Sequence, residues 1–426
     1  MHQYTKAKGT VLVAIDMAKN EHVALLEPPE GRRKTFVIQN TRAGIDGFLS
    51  LVRSYGGACD VAFEPTGDYH RPIAYAMLRA GFRLHFVSSI ATNRTREAIY
   101  NSWDKNDPKD AHVILALLKA GNTQIYHDPL EHGHHDLQEI ANTYVQVSSR
   151  KTRVYHSILT HYLPLYFPEA ERFVTGGRSE WFMEVLHRTP TPSAVLATSK
   201  AIFLRRLLKQ EGKVTIRRRL LEEFYDLAKT SVGLPVAANA PSVEMFQTIL
   251  DEFLELAGRR RSIEATVDRV LRGNADYQRL QRIPGIGSIL ALIILAEGGN
   301  LRRFGSYKKF LKFCGLSLSA SKSGKSCGVP QLSKRGNARL RYAFWLAATS
   351  AIRQRQNTFA DKYRRYVAAN PKDRDLRRKA FTAVAAKMAR VVHGLIRSDQ
   401  QYQHRFEHAP SGRIHSPRAV EAFATS

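Results

Sequence analysis

Hydrophobic and polar positions in the first ninety residues fall into short apolar runs separated by segments of helical spacing. Val11–Ile15, His22–Leu26 and Thr35–Ile38 predict three consecutive strands, and the short polar link Met17–Glu21 suits a hairpin between the first two. In Arg42–Tyr55 the apolar residues Ile45, Phe48, Leu49 and Val52 lie three or four apart, which predicts a helix. Asp60–Phe63 reads as a fourth strand, Ile73–Ala80 as a second helix and Arg83–Val87 as a fifth strand.

Three strands, then helix, strand, helix, strand is the order of a ribonuclease-H-like α/β domain, expected here over residues 1–135. In such a layered sheet, residues just past the strand ends converge at one edge. From about Asp136 the strand signals stop. Leu137–Leu163 reads as a helix ended by Pro164, and Pro164–Ser193 as an irregular Pro-rich insertion. Phe203–Ala228 and Ser242–Leu271 return to helical spacing. Within the latter, Phe246, Leu250, Phe253 and Ala257 follow steps of four and three, the seam of a coiled coil, and an amphipathic core helix accounts for them equally well. Residues 136–275 are thus expected to form a helical, coiled-coil linker suited to oligomerisation. Residues 276–397 read as a mostly α domain. It holds a Pro-Gly-x-Gly hairpin, a basic helix, a Gly/Ser/Lys loop, an apolar helix over Leu340–Ile352 and a last helix over Leu376–Arg397, ahead of a polar tail at 398–426.

Charge adds a partner to this outline. Lys and Arg number 65 against 38 Asp and Glu, a formal net charge of +27 in 426 residues. Such an excess implies a polyanion, because Lys and Arg neutralise phosphates and release condensed counterions. A membrane surface fits less well: the basic residues are spread over the last two thirds, and the longest apolar stretch, Ile289–Ala296, is too short to span a bilayer. Cys59, Cys314 and Cys327 are odd in number and far apart, which excludes a disulfide framework and a zinc ribbon and fits a reduced, cytoplasmic protein. The N-terminus does not have the pattern of a signal peptide.

Four acids stand at strand ends and helix starts: Asp16, Glu64, Asp107 and Asp110. Asp16 follows an apolar strand and precedes a turn, so it reads as a metal ligand or as a turn-former bonding its own backbone. Glu64 precedes Pro65-Thr66-Gly67, and glutamate is a poor turn residue, which favours function. Asp107-Pro108 reads equally as an N-cap with proline at the first helical position, with Asp110 favoured by the helix dipole. Acids converging on one site would repel, and Mg²⁺, with its preference for hard oxygen ligands, would relieve that repulsion. Two such ions could stabilise both the entering and the leaving oxygen at a phosphodiester.

Farther along, Ile283-Pro284-Gly285-Ile286-Gly287 reads as a tight turn that exposes N–H groups of Gly285 and Gly287 at a helix start, a seat for phosphate or an ordinary helix–helix turn. Arg302, Arg303, Lys308, Lys309 and Lys312 follow closely. Cys314–Asn337 is dense in small, hydroxylic and basic residues, including Ser321, Lys322, Ser323, Lys325, Ser326, Lys334 and Arg335. A serine there could be a nucleophile, or the segment could be a loop that clamps phosphate. Gly324-Lys325-Ser326 lacks the earlier glycine of a P-loop, which argues against an NTPase. His132, His134 and His135 read as surface-loop residues.

These motifs resemble a known family. Ala14-Ile15-Asp16-Met17-Ala18-Lys19 with His22, then Glu64-Pro65-Thr66-Gly67, then Lys105-Asn106-Asp107-Pro108-Lys109-Asp110-Ala111, resemble the acidic motifs of the DEDD-type transposases of the IS one-ten insertion sequences. Pro284-Gly285-Ile286-Gly287, Gly315-Leu316, Ser323-Gly324 and Ser333-Lys334-Arg335-Gly336 are similar to the family's C-terminal transposase domain in order and spacing. The resemblance implies a RuvC-like metal-binding domain, a linker used for oligomerisation, and a domain with a nucleophilic serine. It implies Asp16, Glu64, Asp107 and Asp110 as ligands of Mg²⁺, and Ser323 as the residue that becomes covalently linked to DNA. It also implies a structured guide RNA that pairs with donor and target DNA, and assembly as a dimer or tetramer at the nucleoid of a prokaryote. The chain departs from the family in having Lys322 where a second serine is common, which leaves Ser321 and Ser326 as rival nucleophiles, and in having Asn106 for threonine. The expected function is RNA-guided DNA transposition or recombination. Its rivals are a hydrolytic junction-resolving nuclease and a non-catalytic nucleic-acid-binding protein.

Overall fold

The computed structural model describes residues 9–101, 107–174, 179–208, 214–319, 322–323, 326–327, 330–354 and 356–403. It divides into two units, Met1–His135 and Asp136–Ser426.

In the first unit six strands form one mixed sheet in the order β3-β2-β1-β4-β5-β6. They are β1 (Val11–Asp16), β2 (Glu21–Glu27), β3 (Lys34–Gln39), β4 (Cys59–Glu64), β5 (Arg83–Phe86) and β6 (Gln124–Ile125). β1 runs antiparallel to β2 and parallel to β4, β5 is parallel to β4, and β6 returns antiparallel. The helices are α1 (Arg42–Ser54), α2 (His70–Arg79), α3 (Ser89–Tyr100) and α4 (Asp107–Lys119). Side-chain alternation divides β1 and β4 between two cores. Val13, Ile15, Val61 and Phe63 pack with Phe48 of α1 and Ile73 and Met77 of α2. Leu12, Ala14 and Ala62 pack on the other face with Ile114, Leu115 and Leu118 of α4. Burial on both faces is why Val11–Ile15 of β1 reads as an unbroken apolar run; in β4 the run is broken only by the buried Asp60, which accepts from Arg83. The expected strands hold to within a residue or two; the sequence reading had neither α3 nor the exposed two-residue β6, the latter too short to carry a period.

The second unit is mostly helical. α5 (His135–Ser157) continues through a π-helical stretch, Ile158–Tyr162, into α6 (Leu163–Tyr166). Pro164 therefore does not end the helix as expected. It sits in the first turn of α6, where a missing N–H costs little. The insertion expected to be irregular is also helical where described: a 3₁₀ turn at Pro168–Ala170, α7 (Glu171–Val174), α8 (Ser179–Arg188) and the start of α9 (Pro192–Leu196). Its prolines open short helices, and its aromatics Phe167, Phe173 and Phe182 gather around Phe224 of α11 (Val214–Ala228). Helices of one or two turns carry too few residues for a period to show. α10 (Lys200–Leu208) packs beside α11.

The long α12 (Pro241–Leu271) carries Phe246, Leu250, Phe253 and Ala257, all at most 1% exposed. Three of them lie in the same core as Phe224. The residues that spell a coiled-coil seam are thus consumed inside the chain, and the core-helix alternative holds for them.

The remaining helices are α13 (Ala275–Gln281), α14 (Ser288–Gly298), α15 (Tyr307–Phe313), α16 (Ala338–Arg353), α17 (Thr358–Val367) and α18 (Arg374–Arg397). Their core, with Leu292, Phe310, Phe344 and Met388, also takes in Leu137 of α5 and Val267 and Leu271 of α12. Packing is therefore continuous across positions 275 and 276, where composition suggests a boundary. Four two-residue strands interrupt this helical region: β7 (Leu318–Ser319), β8 (Lys322–Ser323), β9 (Ser326–Cys327) and β10 (Gln331–Leu332). Among the described residues no helix is long and apolar enough to cross a membrane.

Candidate active site

Asp16 closes β1 and Glu64 closes β4, and the two are register partners across a parallel pair. Neighbouring strands lie about 5 Å apart, so two half-buried carboxylates stand side by side. Alternation puts both on the face of Leu12, Ala14 and Ala62, which α4 covers. The direction of α4 follows from its far end. Lys119 Nζ donates to Glu27 Oε1 at 3.0 Å, and Glu27 pairs with Leu12 near the start of β1. From Asp110 to Lys119 a helix rises about 13 Å, and from Leu12 to Asp16 a strand spans about the same. The first turn of α4 therefore lies at the Asp16–Glu64 end of the sheet. Asp107 opens that turn, and its side chain lies outside the described residues.

Asp110 is buried and already engaged. Arg96 of α3 donates to it through Nε at 2.7 Å and Nη2 at 2.5 Å, and Arg96 Nη1 donates to Asn93 Oδ1 at 3.0 Å. Among the described residues, which do not include the Asp107 side chain, no three carboxylate, imidazole or thiol groups gather as a metal-binding set. The pair at the strand ends does fit a hard cation, because opposed carboxylates repel and a cation relieves this. An open cleft of about 450 Å³ lies against Asp16, Lys19, Asn20 and Glu21, room for an ion and a phosphate. A divalent ion held by the strand-end pair would take Asp16 and Glu64; the cleft beside Asp16 is not lined by Glu64.

Arg96 had no signal in the sequence, since nothing local marks an arginine that will be 6% exposed. Its role gives a direct expectation. Arg96→Met strands a buried carboxylate and should cost about 3–5 kcal/mol in urea unfolding. The double variant Arg96→Met/Asp110→Leu, which removes both charges, should recover most of that loss. Equal stabilities for the single variant and the parent would show that the pair holds nothing.

The serine loop is a nested hairpin. β7 pairs with β10 at its base, and farther out Ser323 of β8 is the register partner of Ser326 of β9. Below the base, Ser333 N–H donates to Ser317 O at 2.9 Å and Asn337 N–H to Phe313 O at 2.7 Å. The stem is drawn tight by Gly336, where a Cβ would stand 2.4 Å from Phe313 O and 2.6 Å from Gly315 N. Ser321, Gly324 and Lys325, and the side chains of Lys322, Ser323 and Ser326, lie outside the described residues. Four short strands in a stretch without alternation could not be read from the sequence.

The basic candidates divide into two groups. Lys308, Lys309, Lys334 and Arg335 are exposed, and Gly287 is exposed as the N-cap of α14. Arg302 and Arg303, expected to meet phosphate, are exposed as well but also make contacts within the chain. Arg302 forms two bonds to Asp276, at 2.6 and 3.0 Å, and another to Asp399. Arg303 lies over the rings of Phe304 and Phe313, 4.6 and 5.2 Å from their centroids. The Cα of Gly285 is packed against the backbone of α16. Burial pushes the Cys59 thiol up to about 12 and raises that of Cys314 as well, so neither is a nucleophile at neutral pH. His132 Nδ1 lies 2.9 Å from Asp128 O and His135 Nδ1 2.9 Å from Arg71 Nη2, both contacts within the first unit.

The first unit thus carries paired acids at the strand ends of a mixed α/β sheet, and the second is mostly helical with a hairpin that includes Ser323. A family model of the DEDD type, described as "Transposase", matches residues 13–168, and one described as "Transposase IS116/IS110/IS902 family" matches 277–364. Together they cover more than half of the chain, which belongs to the IS110/IS116 family of transposases. Among its relatives, a protein of Pseudomonas aeruginosa named a probable family 20 transposase is 26% identical over 52% of this chain and 65% of that protein. The transposase for insertion sequence element IS1111A of Coxiella burnetii is 30% identical over 47% of this chain and 54% of its own. An insertion element IS110 protein of 43.6 kDa from Streptomyces coelicolor is 22% identical over 93% and 96%. The chain thus spans between half and two thirds of the first two relatives and nearly all of the third.

Proposed function

We propose that this chain cuts and rejoins DNA as an insertion-sequence transposase, using the Asp16–Glu64 edge of a RuvC-like sheet and the serine hairpin of the second unit. The observation that carries this reading is the register pairing of Asp16 with Glu64 on the sheet face that α4 covers. Asp16 and Glu64 would hold a divalent cation, taken to be Mg²⁺, which when bound supplies positive charge at the scissile phosphate. Ser323 Oγ attacks phosphorus, the bond from phosphorus to the leaving sugar oxygen breaks, and the serine proton passes through solvent to that oxygen. One phosphate ester replaces another, so a second strand's hydroxyl can reverse the step without ATP. The exposed Lys308, Lys309, Lys334 and Arg335, with Lys322 and Lys325, would position the backbone.

The family resemblance adds three parts to the proposal: a structured guide RNA selecting donor and target, a dimer or tetramer placing one protomer's acids beside another's serine, and action at the bacterial nucleoid. With the Phe246, Leu250 and Phe253 face of α12 buried in its own chain, contacts between protomers would involve other residues. The domain roles follow: residues 1–135 hold the metal, 136–275 bridge, and 276–397 carry the serine.

The test uses a suicide DNA substrate with the guide RNA, followed by denaturing electrophoresis. The parent should form a covalent adduct that Ser323→Ala abolishes while duplex binding stays within about threefold, since removing one hydroxyl removes no phosphate-neutralising charge. An adduct retained at Ser321 or Ser326 would overturn the serine assignment. Cleavage with no adduct in the parent would favour a hydrolytic nuclease instead.

A further inference from the structure

α17 and α18 pack side by side and bring four cations together: Lys362 and Arg365 from one, Lys387 and Arg390 from the other. Each pair is spaced by three residues, so each occupies about one turn of its helix. Lys387 Nζ reaches across to donate to Thr358 O at 2.9 Å and lies 5.4 Å from the Phe359 ring centroid. Lys362, Lys387 and Arg390 are all half-buried. Among the described residues none of the four has an ion-pair partner. The acid beside them, Asp361, accepts from Arg364 at 2.6 Å instead. Burial first, and then Lys362, Arg365 and Arg390 against the weaker pull of Asp361, bring the Lys387 ammonium down to about 8. Burial, Arg390 and Arg365 lower Lys362 as well.

Partly desolvated cations cost folding free energy, and among the described residues only Asp361, itself bonded to Arg364, offsets that cost. A bound anion removes it. In a chain of formal net charge +27, the anion able to meet four cations on two parallel ridges is a run of backbone phosphates. We propose that Lys362, Arg365, Lys387 and Arg390 form a seat for the phosphate backbone of a nucleic-acid duplex, separate from the serine hairpin. This rests on the reading that the chain works on nucleic acid. None of these four positions belongs to the sequence motifs that suggested that reading.

The experiment compares the full chain with Lys362→Gln/Arg390→Gln, titrated with a DNA duplex and with an RNA duplex of the same sequence over a series of KCl concentrations. The expected result is a fall of about 2 in the slope of log K against log salt, and roughly 10–100-fold weaker binding at moderate salt, for at least one duplex. The duplex affected identifies the backbone that sits there. The variant without ligand should melt no lower than the parent, because repulsion is relieved. An unchanged slope for both duplexes in a folded variant, while the parent binds and cleaves, would overturn the seat and leave the transposase reading intact. A parent that binds neither duplex would overturn both.

Should the variant fail to fold, the parent alone decides. Lys387 in the parent should be labelled readily by an amine-reactive reagent near neutral pH and should be shielded when duplex is saturating. Labelling undiminished by either duplex, or shielding by inorganic phosphate at the same phosphate concentration, would overturn the duplex seat.

Discussion

Asp16→Asn is expected to lower DNA strand cleavage by about a thousandfold or more, since under the proposed mechanism it removes a carboxylate whose cation would supply several kcal/mol of charge stabilisation in the transition state. Folding should not suffer. Asp16 and Glu64 face each other across β1 and β4, and like charges directly opposite on a sheet are destabilising by roughly 0.2–1 kcal/mol. Without metal the variant should therefore melt at or slightly above the parent's temperature. Adding Mg²⁺ should raise the melting temperature of the parent and not that of Asp16→Asn, because only a native state that binds the ion gains by mass action. Calorimetry with and without Mg²⁺, beside a cleavage assay, checks both halves. Parental cleavage in Asp16→Asn would remove the strand-end acids from the mechanism.

The second large effect is on stability. Gly285 has φ +88, and a Cβ there would stand 2.2 Å from Ala347 O and 2.7 Å from Ala351 N on α16. Both are backbone atoms of a helix whose packing face is lined by Ala343, Ala347, Ala348 and Ala351, all at most 1% exposed. Neither partner can give way without moving the helix. Gly285→Ala should cost roughly 2–6 kcal/mol, the sum of strain at positive φ and overpacking. By contrast Gly287→Ala, at an exposed position with nothing within 4 Å of its Cβ, should change stability by less than about 1 kcal/mol. Denaturant unfolding of the two variants gives the comparison. Equal, small losses would mean that the turn is no closer to α16 than an ordinary loop.

How far the sequence could be read depended on the length of each element. The strands Val11–Asp16 and Cys59–Glu64 were legible because burial on both faces leaves the apolar runs Val11–Ile15 and Val61–Phe63, each ending in an acid. The short helices around Phe173 and Phe182 were not, because one or two turns show no period and prolines looked like breaks. The seam at Phe246, Leu250 and Phe253 shows a different limit. A periodic apolar stripe states that a helix face is covered, and what covers it is a property of the folded chain. Asp110 shows the same for charge: an acid in a first turn suits a ligand, a dipole partner or an ion pair, and Arg96 made it the last.

By itself the sequence determined the local elements of the first unit, the places of four acids at their ends and the surplus of positive charge, because these follow from periodicity and composition. Only the tertiary structure decided which of those groups meet. Partners such as Asp16 with Glu64, Arg96 with Asp110, or Lys362 with Lys387 are set by strand register and helix packing between distant segments. No local preference of the chain encodes such distances.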